Sequence, residues 1–331
     1  MKDRILIFIM LLIFLSLLGK LFISGEKKEQ SKPAAKNVVY ESLDELAIFV
    51  TLENEIAANE LGITYSGDRN IWAKDIRASI LVSDSSKDTK NATADSDVKR
   101  EPDYISMYPN LYATPQTEWE EVKEGQKTCF LTFDDGPSAY TKKVLDVLDE
   151  KGIKATFFVI GEEIALSKEN EEILKEISDR GHIIALHTYC HDYGTIYKSV
   201  SAFLADYEKV FNLIEEITGQ RPYIYRFPGG SYNKYMRRMR KELILEMERR
   251  GFIFYDWNVS AEDAVGNPTS YSIHKNISKD LARYQTPVIL MHDGQTNKVT
   301  SQALSSVIEM IKKKGYNFDT LDHRKPCQFK W

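Results

Sequence analysis

Cys129-Phe130-Leu131-Thr132-Phe133-Asp134-Asp135-Gly136-Pro137 is the stretch that decides how this chain is read. An apolar, β-favouring run ends abruptly in two adjacent carboxylates and a Gly-Pro turn. Neighbouring side chains on extended backbone point to opposite faces, so Asp134 and Asp135 are placed for different jobs. A plain strand-to-helix loop with an aspartate cap accounts for the stretch equally well at this level.

Downstream the same texture recurs. Apolar strand candidates fall at 129–133, 155–160, 182–186, 223–227, 252–257, 287–291 and 316–321, with amphipathic helix candidates between them. The clearest helix is 201–218, where Phe203, Tyr207, Val210, Phe211, Ile214 and Ile217 share one face and Gly219 closes it. Seven strand candidates alternating with helices over about 200 residues predict an α/β fold, an irregular (β/α)7-type barrel. No glycine-rich phosphate loop follows the first strand, which argues against a dinucleotide or P-loop fold.

In such barrels the active site is built from the carboxyl ends of the strands. Here those ends carry Asp134-Asp135, His187-Thr188-Tyr189-Cys190-His191, Arg226-Phe227-Pro228-Gly229-Gly230, Asp256-Trp257, Asp263 and His292-Asp293. Of six histidines in the chain, three stand at these positions, more than structural causes readily supply. His187 and His191, four apart, suit a shared metal ion. The glutamate that a metalloprotease places after its first histidine is replaced by Thr188. A carboxylate from the first strand would complete a three-ligand site with an open position, the form of catalytic zinc, and Cys190 competes as a soft ligand.

These motifs, Thr132-Phe133-Asp134-Asp135-Gly136-Pro137, His187-Thr188-x-x-His191, Arg226-Phe227-Pro228-Gly229-Gly230, Asp256-Trp257 through Asp263, and Leu290-Met291-His292, fall in the order of the NodB-homology polysaccharide deacetylases, carbohydrate esterase family 4, which residues 128–322 resemble. The resemblance implies that Asp135, His187 and His191 hold a divalent metal, usually zinc, with cobalt, manganese or nickel as alternatives. It implies Asp134 as general base and His292, from the sixth strand, as general acid. Arg226 would orient Asp134 and keep it ionised, and Asp263 would orient His292 and favour its protonated form. The Gly229 N–H would meet the oxyanion, and Thr188 would steady the histidine loop. Two departures stand out. Gly229 occupies a position that is often aromatic, and Asp263 is followed by Ala264 rather than tryptophan. The wall of the acetate pocket then falls to Trp257, Leu290 or Tyr232.

The rest of the 331-residue chain sets the context. A net charge of −5 from balanced acids and bases gives no nucleic-acid footprint, and three scattered cysteines give no disulfide framework. Lys2 and Arg4 precede an apolar run at 5–18 that continues at 21–23, with no small-x-small cleavage pattern. This predicts an uncleaved signal-anchor over 1–25 and an extracytoplasmic, membrane-anchored protein; a cleaved signal peptide and secretion are the alternative. Residues 26–100 are expected to form a tether with a short helix and a low-complexity linker. Residues 101–127 read as a lead-in packing on the barrel, and 128–331 as the deacetylase domain.

The function expected is metal-dependent removal of acetyl groups from N-acetylglucosamine in a cell-envelope polysaccharide, foremost peptidoglycan. Acetyl-xylan and chitooligosaccharides are alternative substrates. A catalytically silent glycan-binding protein or a zinc amidase are competing classes. A silent protein would be expected to have lost one of Asp134, Asp135, His187, His191 or His292, and all are present.

Overall fold

The computed structural model describes residues 103–114 and 125–330. They belong to one compact unit, Lys99–Trp331. The expected signal-anchor, tether, linker and part of the lead-in lie outside the described residues. Among the described residues no helix is long and apolar enough to cross a membrane.

In chain order the elements are α1 (Tyr104–Met107), β1 (Thr128–Asp134), α2 (Ala139–Lys151), β2 (Thr156–Ile160), α3 (Gly161–Ala165), α4 (Lys168–Asp179), β3 (Ile183–Thr188), α5 (Tyr193–Ile196), α6 (Val200–Thr218), β4 (Ile224–Tyr225), α7 (Arg240–Arg249), β5 (Ile253–Phe254), β6 (Val259–Ser260), α8 (Ser270–Leu281), β7 (Val288–His292), α9 (Lys298–Lys313) and β8 (Asn317–Asp319). Helix boundaries follow local chemistry. The Ser199 hydroxyl accepts from the Ala202 N–H to start α6, and Gly219 ends it in the left-handed region at φ 70°. Such a cap is worth about 1 kcal/mol.

The sheet is all parallel, in the order β5-β4-β3-β2-β1-β7-β6, with β8 paired to the amino-terminal half of β1. Two expectations are corrected here. There are eight strands rather than seven, because Val259–Ser260 forms a two-residue strand too short to leave an apolar run. His292 therefore ends the seventh strand, not the sixth. The barrel is also only a half-barrel: among the described residues β5 and β6, at the two edges, do not pair. The chain itself crosses the gap, with Tyr255 N–H donating to the Tyr225 carbonyl of β4 and Asn258 N–H to the Val288 carbonyl of β7.

The pleat sorts the side chains. Cys129, Leu131 and Phe133 face outward into a large core with Val144, Leu148 and Ile308 of the helices. Phe130, Phe158, Ala185, Ile224 and Val288 form a smaller inner cluster. Moving toward the strands' carboxyl ends, the same inward face turns polar at Thr132, Asp134, His187 and Arg226. The apolar inner cluster is thus the floor of a polar chamber. Residues 103–114 pack on the large outer core through Tyr108, Leu111 and Ala113, and the buried Arg250 guanidinium donates to the carbonyls of Tyr104, Tyr108 and Leu111, tying this segment to the end of α7.

Candidate active site

Asp134 is buried, and its Oδ1 accepts from Arg226 Nη1 at 2.7 Å. Arg226 is fully buried and spends every arm of its guanidinium. Nε donates to the Tyr255 carbonyl, Nη1 also to the Thr132 hydroxyl, and Nη2 to the Asp256 carbonyl, while its plane lies 4.0 Å from the Phe158 ring centroid. Burial raises the Asp134 pKa above its ordinary value, with the Arg226 charge pulling against it. Arg226 orients this carboxylate, therefore, without cancelling the cost of burying it. Asp134 Oδ2 makes no hydrogen bond among the described residues.

Asp135 turns away from its neighbour because its backbone is left-handed, at φ 76°. His191 and Glu262 are the other non-glycine residues in that region among the described residues, both at φ 52°. Strain of about 1–3 kcal/mol per such residue is therefore concentrated at or beside the candidate site. Asp135 Oδ1 is buried with no hydrogen-bond partner, and it stands 3.5 Å from His187 Nε2 and 3.6 Å from His191 Nε2.

These spacings are long for hydrogen bonds. Two donors held tetrahedrally by zinc at about 2.1 Å lie about 3.4 Å apart, which the Asp135–histidine separations match. His187 Nδ1 is 3.0 Å from the Arg226 carbonyl, which can only accept, so the proton sits on Nδ1 and the Nε2 lone pair faces Asp135. Burial holds the His187 pKa well below normal and keeps the ring neutral, as a ligand must be. Asp135, His187 and His191 thus fit a divalent metal ion. Cys190, the competing soft ligand, is not among these converging donors, and burial pushes its thiol up to about 11.

The histidine loop is held by a residue that sequence reading missed. Asp206 of α6 accepts from the Thr188 hydroxyl at 2.5 Å, the Tyr189 N–H at 2.6 Å and the Cys190 N–H at 3.0 Å. The Thr188 hydroxyl in turn accepts from the His191 N–H. A signal was present: Asp206 falls between Phe203 and Val210 on the apolar stripe of α6, where a carboxylate is out of place unless it has partners.

His292 ends β7 with Nδ1 2.8 Å from Asp263 Oδ1. Asp263 Oδ2 also accepts from the His292 N–H and the Thr300 hydroxyl. Burial disfavours the imidazolium, but the hydrogen bond and charge of Asp263 outweigh it and raise the His292 pKa to about 9. The following residue, Asp293, accepts at Oδ2 from the Thr141 hydroxyl and at its carbonyl from the Ser138 hydroxyl. A Cβ on Gly136 would come within 2.5 Å of that carboxylate, so the loop after Asp135 requires glycine there.

The remaining expected residues divide. The Gly229 N–H donates to no group among the described residues, and the residue is left-handed at φ 75°. A Cβ here would meet the Tyr193 hydroxyl at 2.8 Å, so the Tyr193 ring occupies the space beside the glycine. Leu290 is buried on β7, two residues before His292 on the same face. Trp257 is half-buried against Phe329, and Tyr232 stands exposed under Arg240. Asp256 serves the scaffold: its carboxylate accepts from the Ser231 N–H and hydroxyl and from the Phe329 N–H.

The sequence profile of the polysaccharide deacetylase family matches residues 121–247. The peptidoglycan-N-acetylglucosamine deacetylase of Bacillus cereus is 30% identical over 199 residues, 59% of this chain and 69% of that protein. This chain belongs to the polysaccharide deacetylase family. The peptidoglycan-N-acetylmuramic acid deacetylase PdaA of Bacillus subtilis is a further relative, 30% identical over 60% of this chain and 71% of that one. Among solved structures, the catalytic domain of a peptidoglycan N-acetylglucosamine deacetylase from Eubacterium rectale superposes with a TM-score of 0.60. It is 32% identical and covers 65% of this chain and 97% of its own. The parallel half-barrel of this family is therefore the fold, with the three-donor cluster on its carboxyl-end rim.

Proposed function

We propose that this polysaccharide deacetylase, a hydrolase of carbon–nitrogen bonds other than peptide bonds, removes acetyl groups from N-acetylglucosamine residues of peptidoglycan. One observation carries the reading. Asp134 and His292 occupy paired positions on β1 and β7, beside the Asp135–His187–His191 donor cluster. A base and an acid on one inward face, next to a metal-ligand set, are the parts that amide hydrolysis needs.

Asp135, His187 and His191 would hold the metal, with zinc the best fit to the donor set. When bound it supplies Lewis acidity toward the acetyl carbonyl and toward water. Asp134, oriented through Oδ1 by Arg226, presents its free Oδ2 to take the proton of the attacking water. The Gly229 N–H would donate to the oxygen that becomes negative in the tetrahedral intermediate. His292, protonated and oriented by Asp263, would give a proton to the leaving amine. Leu290 and Trp257 would form the apolar wall against the acetyl methyl. We further place residues 128–331 as the deacetylase domain and 1–25 as a membrane anchor that holds it outside the cytoplasm, against the wall.

The test is acetate release by the zinc-loaded, full-length protein from peptidoglycan, chitooligosaccharides and acetylated xylan. Release from peptidoglycan is expected to be fastest. A zinc-loaded protein that frees no acetate from any of the three overturns the reading.

A further inference from the structure

The segment after β4 and the first turn of α7 carry Lys234, Arg237, Arg238, Arg240 and Lys241, with no acid between Gly229 and Lys241, in a chain whose net charge is −5. Lys234, Arg237, Arg238 and Lys241 are exposed, and among the described residues none of these four makes an ion pair. Arg240 holds the segment together, stacking on Tyr232 and donating to the Asn233 carbonyl; the other four charges project from it. Arg240 and Lys241 open α7, where the helix dipole disfavours cations, and Met239 supplies no side-chain cap there.

The same segment reaches the donor cluster. The exposed Tyr235 ring lies 5.2 Å from the Tyr193 ring, and Tyr193 stands edge-on to His191 at 5.5 Å. Lys234 Nζ lies 5.1 Å from the Tyr235 ring centroid. A chain of contacts therefore runs from the basic segment through two tyrosines to a candidate metal ligand. An anion held by this segment would be one borne by the polymer whose sugar occupies the site.

We propose that residues 232–241 form a docking surface for carboxylates carried by the substrate itself, the acidic peptide stems of the wall glycan. The inference rests on the deacetylase reading above and sharpens it: the protein prefers stem-bearing glycan to neutral N-acetylated oligosaccharides. Exposed charge pairs are screened beyond about 8 Å at physiological salt, so the preference acts locally and is salt-sensitive.

The test compares full-length wild type with the combined variant Arg237→Gln, Arg238→Gln and Lys241→Gln, all at exposed positions. The probes are disaccharide-tetrapeptide oligomers from digested peptidoglycan, neutral N-acetylchitotetraose, and vesicles rich in phosphatidylglycerol. Binding and acetate release are measured separately. The variant is expected to show a roughly tenfold higher KM and Kd for the stem-bearing oligomer at low salt, with kcat and all chitotetraose constants within about twofold of wild type. Raising salt from about 50 mM to about 500 mM should erase the difference. Equal losses on both sugars, or no loss on either, overturn the proposal. So does a wild type that binds the vesicles more tightly than the oligomers through the same three residues. If wild type frees no acetate, yet its binding of stem-bearing oligomers depends on these residues, the deacetylase reading falls and the docking surface stands.

Discussion

Asp134 on β1 and His292 on β7 are register partners in a parallel ladder. Their side chains therefore project from the same face of the sheet, on adjacent strands, and each has its own counter-charge behind it. Arg226 stands behind Asp134 at 2.7 Å and Asp263 behind His292 at 2.8 Å. The proposed base and acid are held by opposite kinds of support: a cation behind the carboxylate, a carboxylate behind the imidazole. Between them lies a chamber whose floor is apolar.

The neighbouring aspartates should separate cleanly by mutation. Asp134→Asn is expected to retain metal, measured by bound-metal stoichiometry, while losing roughly 100-fold or more in kcat, the usual scale for a general base. Asp135→Asn should instead weaken metal affinity by more than the roughly 10–100-fold typical of an outer supporting residue. The opposite pattern would exchange the two roles.

Asp206 offers a test away from the reacting atoms. Asp206→Ala leaves the Tyr189 and Cys190 N–H groups and the Thr188 hydroxyl without their acceptor. Metal affinity should fall roughly 10–100-fold as His187 and His191 lose their fixed separation. Isothermal titration with zinc would show it, and an unaltered affinity would reduce Asp206 to a scaffold role.

Arg226 and Asp134 together form a fully buried ion pair, and truncating one partner strands the other's charge. Arg226→Met should cost about 3–5 kcal/mol in urea unfolding, and Arg226→Lys should recover only part of it because an ammonium cannot reproduce four fork-directed contacts. A loss below about 1 kcal/mol, the scale of an exposed pair, would contradict the burial described.

How much of this was open to reading from residues follows from physical cause. Apolar runs ending in Asp134-Asp135 and His187 announce themselves because a buried parallel strand must be apolar until it reaches the rim. Strand β6 does not, since two residues leave no period, and its omission misnumbered the strand that carries His292. The left-handed turn at Asp135, which sends the two carboxylates to different neighbours, is a backbone property no side-chain pattern encodes. Asp206 was visible only as a misplaced charge on an apolar helix face. The pairing of Asp263 with His292 came from resemblance, because 29 residues separate them in the chain. The open edge between β5 and β6 depends on Tyr255 bonding back to β4 on one side and Asn258 to β7 on the other, which hydrophobicity does not record.

Glycine at 229 makes a steric prediction. A side chain there would sit at φ 75° and meet the Tyr193 hydroxyl at 2.8 Å. Gly229→Ala should thus displace Tyr193 and the backbone N–H together, raising KM and lowering kcat on any N-acetylated glycan. Metal affinity should change less than about twofold, far below the loss expected of a supporting ligand residue. Parallel kinetics and zinc titration distinguish this from a general loosening of the site, which would lower metal affinity as well.

His292 is expected to set the alkaline behaviour. Its pKa stands at about 9 in the metal-free protein, because the Asp263 hydrogen bond and charge outweigh the burial that works against the cation. In its proposed role as general acid His292 must be protonated, so activity should fall as pH rises through its pKa. A dication at the neighbouring donors would repel the imidazolium and move that limb downward. The metal-free protein should show one imidazole titrating near about 9 by NMR, moving lower on zinc addition. Asp263→Asn should bring it toward about 6.5 and move the alkaline limb of kcat/KM in the same direction. The stability consequence has a definite sign. Because the folded pKa lies above the unfolded one, the stabilisation is fully present below about 6.5 and is lost as pH rises through about 9. Asp263→Asn should remove that loss from a urea-midpoint profile of the metal-free protein. A profile still falling across the same window would assign the titration to another group.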